Sequence, residues 1–530
     1  MNKFRLLAFL LFALPLTTWA QEVEKGLDER VNDAFMPIAT WWESLVLTTV
    51  PVGPMNVPFV LLLLIGGATF FTIYFKFPSV SQFGLALRTV RGKYDAVDHD
   101  PKNSTPEDKD GEVSHFQALA TAVSGTVGLG NIAGVAVAIA MGGPGATFWM
   151  IVCGLIGMSS KFVECTLGVK YRDVDQNGVV YGGPMYYLSR GLNELGWKQI
   201  GKFLGVLFAV LCVGASFGGG NAFQSNQATV QIISMFNLEG GSIGVIIGLI
   251  LAVLVGIVII GGIKQIAKVT EKIVPFMAGL YILASLVIIF ANIQYVGPAF
   301  TMIFEGAFTP QAGLGGIVGV IIVGFQRAAF SNEAGAGSAA IAHSAVKTKY
   351  AASEGVVALL EPFIDTVVIC TMTALVIIFF NMDVNAFDYG NAVGSTVQLN
   401  ATGNYIGGVD LTSMAYDSVI PGFRYVLTFA IVLFAFSTMI SWSYYGLQAW
   451  KYLFGRGRVA DVVYKVLFLT FIVIGAGATL DAVIKFSDAM ILALVFPNMI
   501  GLLLLFPKVQ KELISLSLKS DSLETALKIR

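Results

Sequence analysis

Eleven long apolar segments constrain this chain more than any other feature of its sequence. Each is close to the roughly 20 residues that an α-helix needs to cross the hydrocarbon core of a bilayer. Backbone groups in lipid must satisfy one another, and no segment shows the alternation of a barrel strand. The sequence therefore predicts an all-α polytopic membrane protein with eleven transmembrane helices. The segments are 57–76, 115–137, 147–170, 201–234, 242–263, 272–291, 315–341, 355–380, 423–449, 461–478 and 484–506.

Composition supports a lipid environment and argues against several functional classes. Of the 530 residues, 55% are hydrophobic and 13% are charged, whereas soluble proteins carry about 25% charged residues. The net charge of -1 gives no indication of a nucleic-acid partner. The four cysteines lie in apolar segments without metal-ligand spacing, and the three histidines are dispersed along the chain. We therefore expect no metal centre, no catalytic set, no enzymatic cofactor and no enzymatic activity.

The first 20 residues have the form of a secretory signal peptide. A basic start precedes the apolar residues 6–16, and Ala20 ends a sequence that resembles a cleavage site. An uncleaved anchor helix is the alternative. Cleavage would make residues 21–56 an extracytoplasmic segment, in which Trp41 and Trp42 predict a short helix at the membrane surface.

Lysine and arginine are distributed unequally between the two sets of loops, and this predicts the orientation. Almost all of them lie on one side. The N-terminus is therefore expected outside, and the tail 507–530 in the cytoplasm, for a multi-pass protein of the cell inner (plasma) membrane. The amphipathic segment 177–199 is expected on the inner face, and the long loop 381–422 as an outer lid. The loops that contain no basic residue are 138–146, 235–243, 292–314, 382–422 and 479–483.

Two apolar segments, the second and the seventh, are interrupted by glycine. The second contains Gly125, Gly128 and Gly130, and the seventh contains Gly335 and Gly337. Paired interruptions in corresponding places of two halves indicate a transporter site formed by unwound helices. Tight packing of small residues is the alternative.

The interruptions divide the membrane part into two groups of five helices with opposite orientation. Residues 115–291 form the first predicted repeat, residues 315–506 form the second, and residues 57–76 form an accessory helix. An unwound stretch exposes amides that suit a carboxylate at a helix N-terminus, and carbonyls that suit a cation.

Four sequence motifs resemble the alanine/glycine:cation symporter family over nearly the whole membrane part. They are SGTVGLGNIAGVAVAIAMGGPGATFWM (124–150), GGPMYYL (182–188), FSNEAGAGSAAIAHSA (330–345) and FSTMISWSYYG (436–446). The VGLGN string is also similar to the first core helix of neurotransmitter/sodium symporters. The resemblance implies a LeuT-type 5+5 inverted repeat with one extra N-terminal helix.

The resemblance also implies which groups bind the ligands. In LeuT-type transporters the break in the first core helix offers its amides to the substrate carboxylate, and here these belong to Gly128, Leu129 and Gly130. Carbonyls just before the break hold a sodium ion, which gives this role to Ser124 and Val127.

A hydroxyl pair on the ninth segment, Ser437 and Thr438, completes the implied sodium site. Thr126 and Asn131 are expected to line the substrate site or a second ion site.

Further residues are candidates for the wall of the substrate pocket. Asn221 and Gln224 are polar residues inside the fourth segment, where they contact substrate or, alternatively, bond to a neighbouring helix. Trp442 lies one turn after the hydroxyl pair and either limits side-chain size or packs the core. Phe330 and Ser331 lie at the break of the seventh segment.

Four charged residues inside the apolar segments are candidates for gating. Arg327 and Glu333 flank the second break, and Glu361 and Asp365 are spaced to share one helix face. We expect an ion pair between Arg327 and an acidic residue, which either gates the site or supports the unwound backbone.

Together these features predict sodium-coupled symport of a small neutral amino acid, alanine or glycine, by alternating access. Na⁺, the amino acid and the bilayer are the expected partners, and no protein partner is evident. Proton coupling through Glu333, Glu361 or Asp365 remains an alternative, as does a preference for glutamine or serine. An intramembrane enzyme would need a nucleophile and base at depth, and a channel would need an oligomeric filter; neither is indicated.

Overall fold

The fold is helical in a computed structural model that describes residues 26–52, 55–94, 111–308 and 317–529. The predicted signal peptide lies outside these residues. The helices are α1 (Leu27–Val46), α2 (Phe59–Tyr74), α3 (Pro78–Ser81), α4 (Phe83–Val90), α5 (His115–Thr126), α6 (Gly130–Gly142), α7 (Gly145–Lys170), α8 (Pro184–Glu194), α9 (Lys198–Phe236), α10 (Ile243–Ile259), α11 (Gly262–Ala291), α12 (Ile293–Phe308), α13 (Ile317–Asn332), α14 (Ala339–His343), α15 (Ala351–Val384), α16 (Gly408–Val419), α17 (Phe423–Phe454), α18 (Arg458–Gly477) and α19 (Leu480–Ile529).

Within the described residues, seven helices are long and apolar enough to cross a membrane, and the bent pair α5–α6 makes an eighth span. The helices α2, α10 and α13 are apolar but shorter. These findings show a multi-pass helical membrane protein. The count of eleven spans and the orientation stay predictions.

Three short antiparallel hairpins complete the secondary structure of the described residues. They are β1 (Thr49–Val52) with β2 (Met55–Pro58), β3 (Asp173–Val174) with β4 (Val180–Tyr181), and β5 (Thr396–Gln398) with β6 (Tyr405–Gly407). Each lies in a connection between helices.

The first helix, α1, has 20 residues and is longer than the sequence suggested. It packs against α19, where the rings of Phe35 and Phe486 meet edge to face at 5.0 Å. The carboxylate of Asp28 accepts hydrogen bonds from the free amides of Gly244 and Val245 at the start of α10, both at 3.1 Å. This carboxylate satisfies donors that a helix N-terminus leaves unpaired.

Several segments differ from their sequence-based assignment. Residues 292–314 were expected to be a loop, but α12 occupies Ile293–Phe308; its length of 16 residues, with Pro298 and Glu305, hides it from an apolar-segment search. The expected outer lid contains the β5–β6 hairpin and α16. The last segment continues well beyond 506 as α19.

Both interrupted segments are broken helices. The axes of α5 and α6 differ by 49° across residues 127–129. The second break separates α13 from α14, and its chain takes left-handed backbone angles at Gly335 and Gly337, with φ of 86° and 87°. Glycine adopts this conformation without the steric cost that a side chain adds. The two breaks face one another, because a Cβ on Gly130 would lie 3.5 Å from Ser331.

Three helices contain a turn of π-helix near these breaks: Gly130–Gly134 in α6, Gly218–Ala222 in α9 and Phe363–Cys370 in α15. Turns of this kind are frequent at functional sites because they redirect side chains. The turn in α15 begins between Glu361 and Asp365. The two carboxylates contact different partners, since Glu361 bonds to Lys161 whereas Asp365 bonds to Asn131 and Ser331. That they share one helix face stays a prediction.

Candidate functional site

The break of α5 is tied to α17 by hydroxyl groups. The Thr438 hydroxyl donates to the carbonyl oxygen of Ser124 at 2.9 Å, and the Ser124 hydroxyl donates to the carbonyl of Ser437 at 2.7 Å. The Ser437 hydroxyl bonds within its own helix. Val127 is the first residue after α5, at the start of the break. The structure thus brings Ser124, Ser437 and Thr438 of the implied sodium site into contact, with uncharged oxygen atoms that suit Na⁺, and Val127 follows three residues after Ser124.

Side chains already occupy two amides of the break. Asn131 accepts a hydrogen bond from the amide of Gly128 at 2.9 Å, and Gln224 accepts one from the amide of Leu129 at 3.0 Å. A second hydrogen bond fixes the Gln224 side chain, because its NH₂ group donates to the carbonyl of Gly219 at 2.9 Å. A carboxylate that binds these amides must therefore displace both side-chain oxygens.

The two broken helices share one buried carboxylate, Asp365. Asn131 donates to its Oδ1 at 2.7 Å, and Ser331 donates to its Oδ2 at 2.8 Å. The hydroxyl of Thr366 adds a hydrogen bond to Oδ2 at 2.7 Å. All of these side chains are buried. Asp365 therefore cross-links the first break to the second.

Aromatic rings close the site from the side of α9. Phe330 packs edge to face on Phe223 with ring centres 5.0 Å apart. Trp442 lies directly on the π-helical turn, where a Cβ on Gly220 would be 2.1 Å from Cγ of the indole. The indole N–H donates to the carbonyl of Gly125 at 3.2 Å and to Glu333 at 3.1 Å. The space beside the breaks is therefore narrow.

Two predicted lining residues point elsewhere. The Thr126 hydroxyl bonds to carbonyls of its own helix, at Ala122 and Val123. The Asn221 amide donates to the carbonyl of Phe468 on α18 at 2.6 Å. Interhelical bonding, which the sequence offered as an alternative for Asn221, is what the structure shows.

Arg327 forms an ion pair with Asp488 of α19. Both side chains are at most 4% exposed, and Gln326 also donates to Asp488. Asp488 was not among the predicted residues. An aspartate within an apolar segment is the signal that would have found it.

A second charged cluster lies among α5, α7, α14 and α15. Lys161 bonds to Glu361 at 3.0 Å. His115 and His343 contact the two oxygens of a single carboxylate, that of Glu354. Folding thus joins two histidines that are far apart in the sequence on one carboxylate.

Known proteins resemble the chain across most of its length. The profile of the "Sodium:alanine symporter family" matches residues 44–524. The sodium/alanine symporter AgcS of Methanococcus maripaludis is 40% identical over 449 residues, which are 84% of this chain and 92% of AgcS. The probable sodium/glutamine symporter GlnT of Bacillus subtilis is 34% identical over 447 residues, covering 84% and 85%.

Among solved structures, MhsT in complex with L-phenylalanine matches with a TM-score of 0.49 and 14% identity. The match covers 76% of this chain and 99% of MhsT. At this score the LeuT-type inverted repeat stays a prediction.

Proposed function

This chain belongs to the sodium:alanine symporter family, and on that premise we propose that it carries alanine or glycine into the cell together with Na⁺. Its family consists of transporters, so it is a secondary transporter of the membrane and not an enzyme. Beyond membership of the family, we propose the coupling ion, the substrate and the inward direction of transport.

One observation carries the choice of sodium: the contact between Ser124 and Thr438 beside the break of α5. It places a carbonyl and a hydroxyl oxygen 2.9 Å apart, with no formal charge on either. Freed carbonyls and hydroxyls at broken helices are typical ligands of coupling sodium ions. We assign the ion to these groups together with Val127 and Ser437.

The substrate is proposed to bind at the amides of Gly128, Leu129 and Gly130. Its carboxylate would take the place of the Gln224 oxygen, which now accepts from Leu129. Trp442 and the neighbouring rings leave little room for a side chain, which favours alanine and glycine. Glutamine remains the second candidate, because the similar protein GlnT is named as a glutamine symporter.

Transport by this mechanism requires that access alternate between the two sides of the membrane. The Arg327–Asp488 pair is proposed to close the outer side, since α19 begins beside α1, which we propose to lie outside the membrane. We propose that the N-terminus lies outside and the C-terminus inside, in the inner membrane.

Uptake of radiolabelled alanine into proteoliposomes tests the proposal. We expect accumulation with an inward Na⁺ gradient and none when K⁺ replaces Na⁺. Excess unlabelled glycine, serine and glutamine, added in separate reactions, then rank the substrates by competition. Uptake that persists without Na⁺ and collapses with the pH gradient would replace sodium by proton coupling.

A further inference from the structure

The imidazole of His343 lies between two carboxylates. Its Nδ1 is 2.5 Å from Oε1 of Glu354, and its Nε2 is 3.5 Å from Oε2 of Glu361. All three side chains are fully buried. The remaining oxygens are also engaged, because Glu354 contacts His115 and Glu361 accepts from Lys161 at 3.0 Å.

This arrangement requires one proton more than a neutral imidazole ring carries on its nitrogens. A neutral imidazole has one N–H donor and one lone pair. With a carboxylate oxygen within 3.5 Å of each nitrogen, the lone pair would face an anion at a fully buried position, which is costly. The Lys161 ammonium keeps Glu361 anionic, so the extra proton belongs on His343. The ring is then an imidazolium with a donor toward each carboxylate.

The surrounding charges favour the same conclusion. The cluster contains four carboxyl groups and three basic groups, and two of the carboxyl groups, Glu354 and Glu361, contact His343 directly. A proton on His343 offsets part of the negative charge of these two groups. The carboxyl groups are Glu164, Glu333, Glu354 and Glu361, and the basic groups are Lys161, His115 and His343. Other titratable groups on helices packed against α14 are Cys165 of α7 and Tyr445 of α17.

His343 ends α14 at a point where the two broken helices are joined. Just before α5 and just after α14, Val113 and Val346 pair as a short bridge, and Lys347 donates to the carbonyl of Val113 at 2.7 Å. Arg172 holds the same segment by donating to the carbonyls of Ser344 and Val346. This is the face that the lysine and arginine pattern assigns to the cytoplasm.

We infer that His343, with Glu354 and Glu361, is a proton-binding site, and that the bound proton stabilises the state in which α5 and α14 are joined at this face. Loss of the proton leaves a neutral ring between two anions and weakens the contacts of α14 with α15. The cytoplasmic side then opens more readily at higher pH. The link to uptake rests on the proposed transport function, whereas the proton site itself does not.

Thiol labelling tests the site without any substrate. Val346 is fully buried, so a Val346→Cys variant of the full chain reacts with a membrane-impermeant maleimide when the joined face opens. The four native cysteines are buried, and protein without the substitution gives the blank. Labelling is measured between about pH 6 and 9, around the usual histidine range. Rates are divided by those of the denatured protein at the same pH, which removes the titration of the thiol.

Substitutions of His343 in the Val346→Cys background separate a proton site from a structural contact. With His343 present, we expect the rate to rise with pH, by at most about tenfold per unit for one proton. His343→Asn keeps a donor toward Glu354 but binds no proton, and it is expected to label fast at every pH. His343→Lys carries a permanent charge and is expected to label slowly at every pH. His115→Asn leaves His343 between its carboxylates and retains the pH dependence.

A flat pH profile with His343 present, or an unchanged slope in His343→Asn or His343→Lys, would overturn the proton site. If either His343→Asn or His343→Lys fails to give monodisperse protein, the pH profile of the other variant tests the proton site. Alanine uptake is measured in parallel. Protein that labels with the expected pH dependence but takes up no alanine would support the proton site and contradict the proposed function. Protein that takes up alanine but labels without any pH dependence would support the proposed function and contradict the proton site.

Discussion

The hydroxyl of Thr438 donates a hydrogen bond to the carbonyl oxygen of Ser124, 314 residues earlier in the chain. The contact joins the unwound end of α5 to the middle of α17, and both residues are at most 1% exposed. A buried carbonyl at a helix end must find a partner. A hydroxyl meets this need and leaves an oxygen that can also bind a cation.

Thr438→Val is expected to weaken sodium dependence, because valine has nearly the same shape but no oxygen. Loss of one such contact, worth about 1.4 kcal/mol, corresponds to roughly a tenfold rise in the half-saturating Na⁺ concentration. Alanine uptake at varied Na⁺ measures it. Ser443→Ala on the same helix is the control, since its hydroxyl donates to the carbonyl of Ile440 within that helix. An unchanged sodium response in Thr438→Val would remove Thr438 from the ion site.

Gln224→Glu is expected to raise the alanine concentration for half-maximal uptake by about tenfold or more, since like charges repel at the Leu129 amide. Gln224→Met has a similar length and no charge, so it is expected not to raise that concentration. Concentration series of radiolabelled alanine distinguish the two. Equal values for Gln224→Glu and wild type would argue that the substrate carboxylate binds elsewhere.

Gly220→Ala is expected to lower both uptake and thermal stability. The new methyl group would lie 2.1 Å from the indole of Trp442, which must shift and lose its bonds to Gly125 and Glu333. Overpacking of this kind costs about 1–3 kcal/mol. Gly279→Ala on α11 is the control, because open space surrounds that position. Melting curves in detergent and alanine uptake are the measurements, and equal behaviour of the two variants would contradict the prediction.

Arg327→Met and Asp488→Leu are each expected to destabilise the protein by about 3–5 kcal/mol, since each leaves a buried charge without its partner. The double variant is expected to recover much of that stability, but it is not expected to recover Na⁺-dependent alanine uptake. Lys485→Ala serves as the control, because its pair with Asp481 is partly exposed and contributes about 1 kcal/mol or less. Thermal unfolding gives the stability of the two single variants, the double variant and Lys485→Ala. A double variant no more stable than the single variants would show that the pair is not coupled.

Local sequence was sufficient to locate the two breaks. Glycines at 128, 130, 335 and 337 interrupt apolar segments, and the chain unwinds at both places. The motif resemblance singled out Ser124 and Thr438, and the structure brings them into contact. These features were accessible because each depends on residues within a few turns of one another or on a long motif.

Contacts between segments that are far apart in the sequence could not be predicted in the same way. Nothing in the spacing of His115, His343 and Glu354 indicates that they meet, because helix packing alone joins them. The π-helical turn at Phe363–Cys370 was likewise not predicted, because the spacing of Glu361 and Asp365 was interpreted with 3.6 residues per turn throughout. Asp488 was missed although it lies within an apolar segment, because its partner Arg327 lies on α13, far away in the sequence.

The docking of α1 has a consequence for how the protein is made. Asn32 of α1 accepts hydrogen bonds from the backbone and side chain of Thr479, and Phe35 packs on Phe486 of α19. The ribosome adds Thr479 to the chain 447 residues after Asn32. Until Thr479 and Phe486 are made, therefore, the face of α1 that packs on α19 has no partner to cover it. A nascent chain halted before residue 479 would present that face to chaperones and proteases.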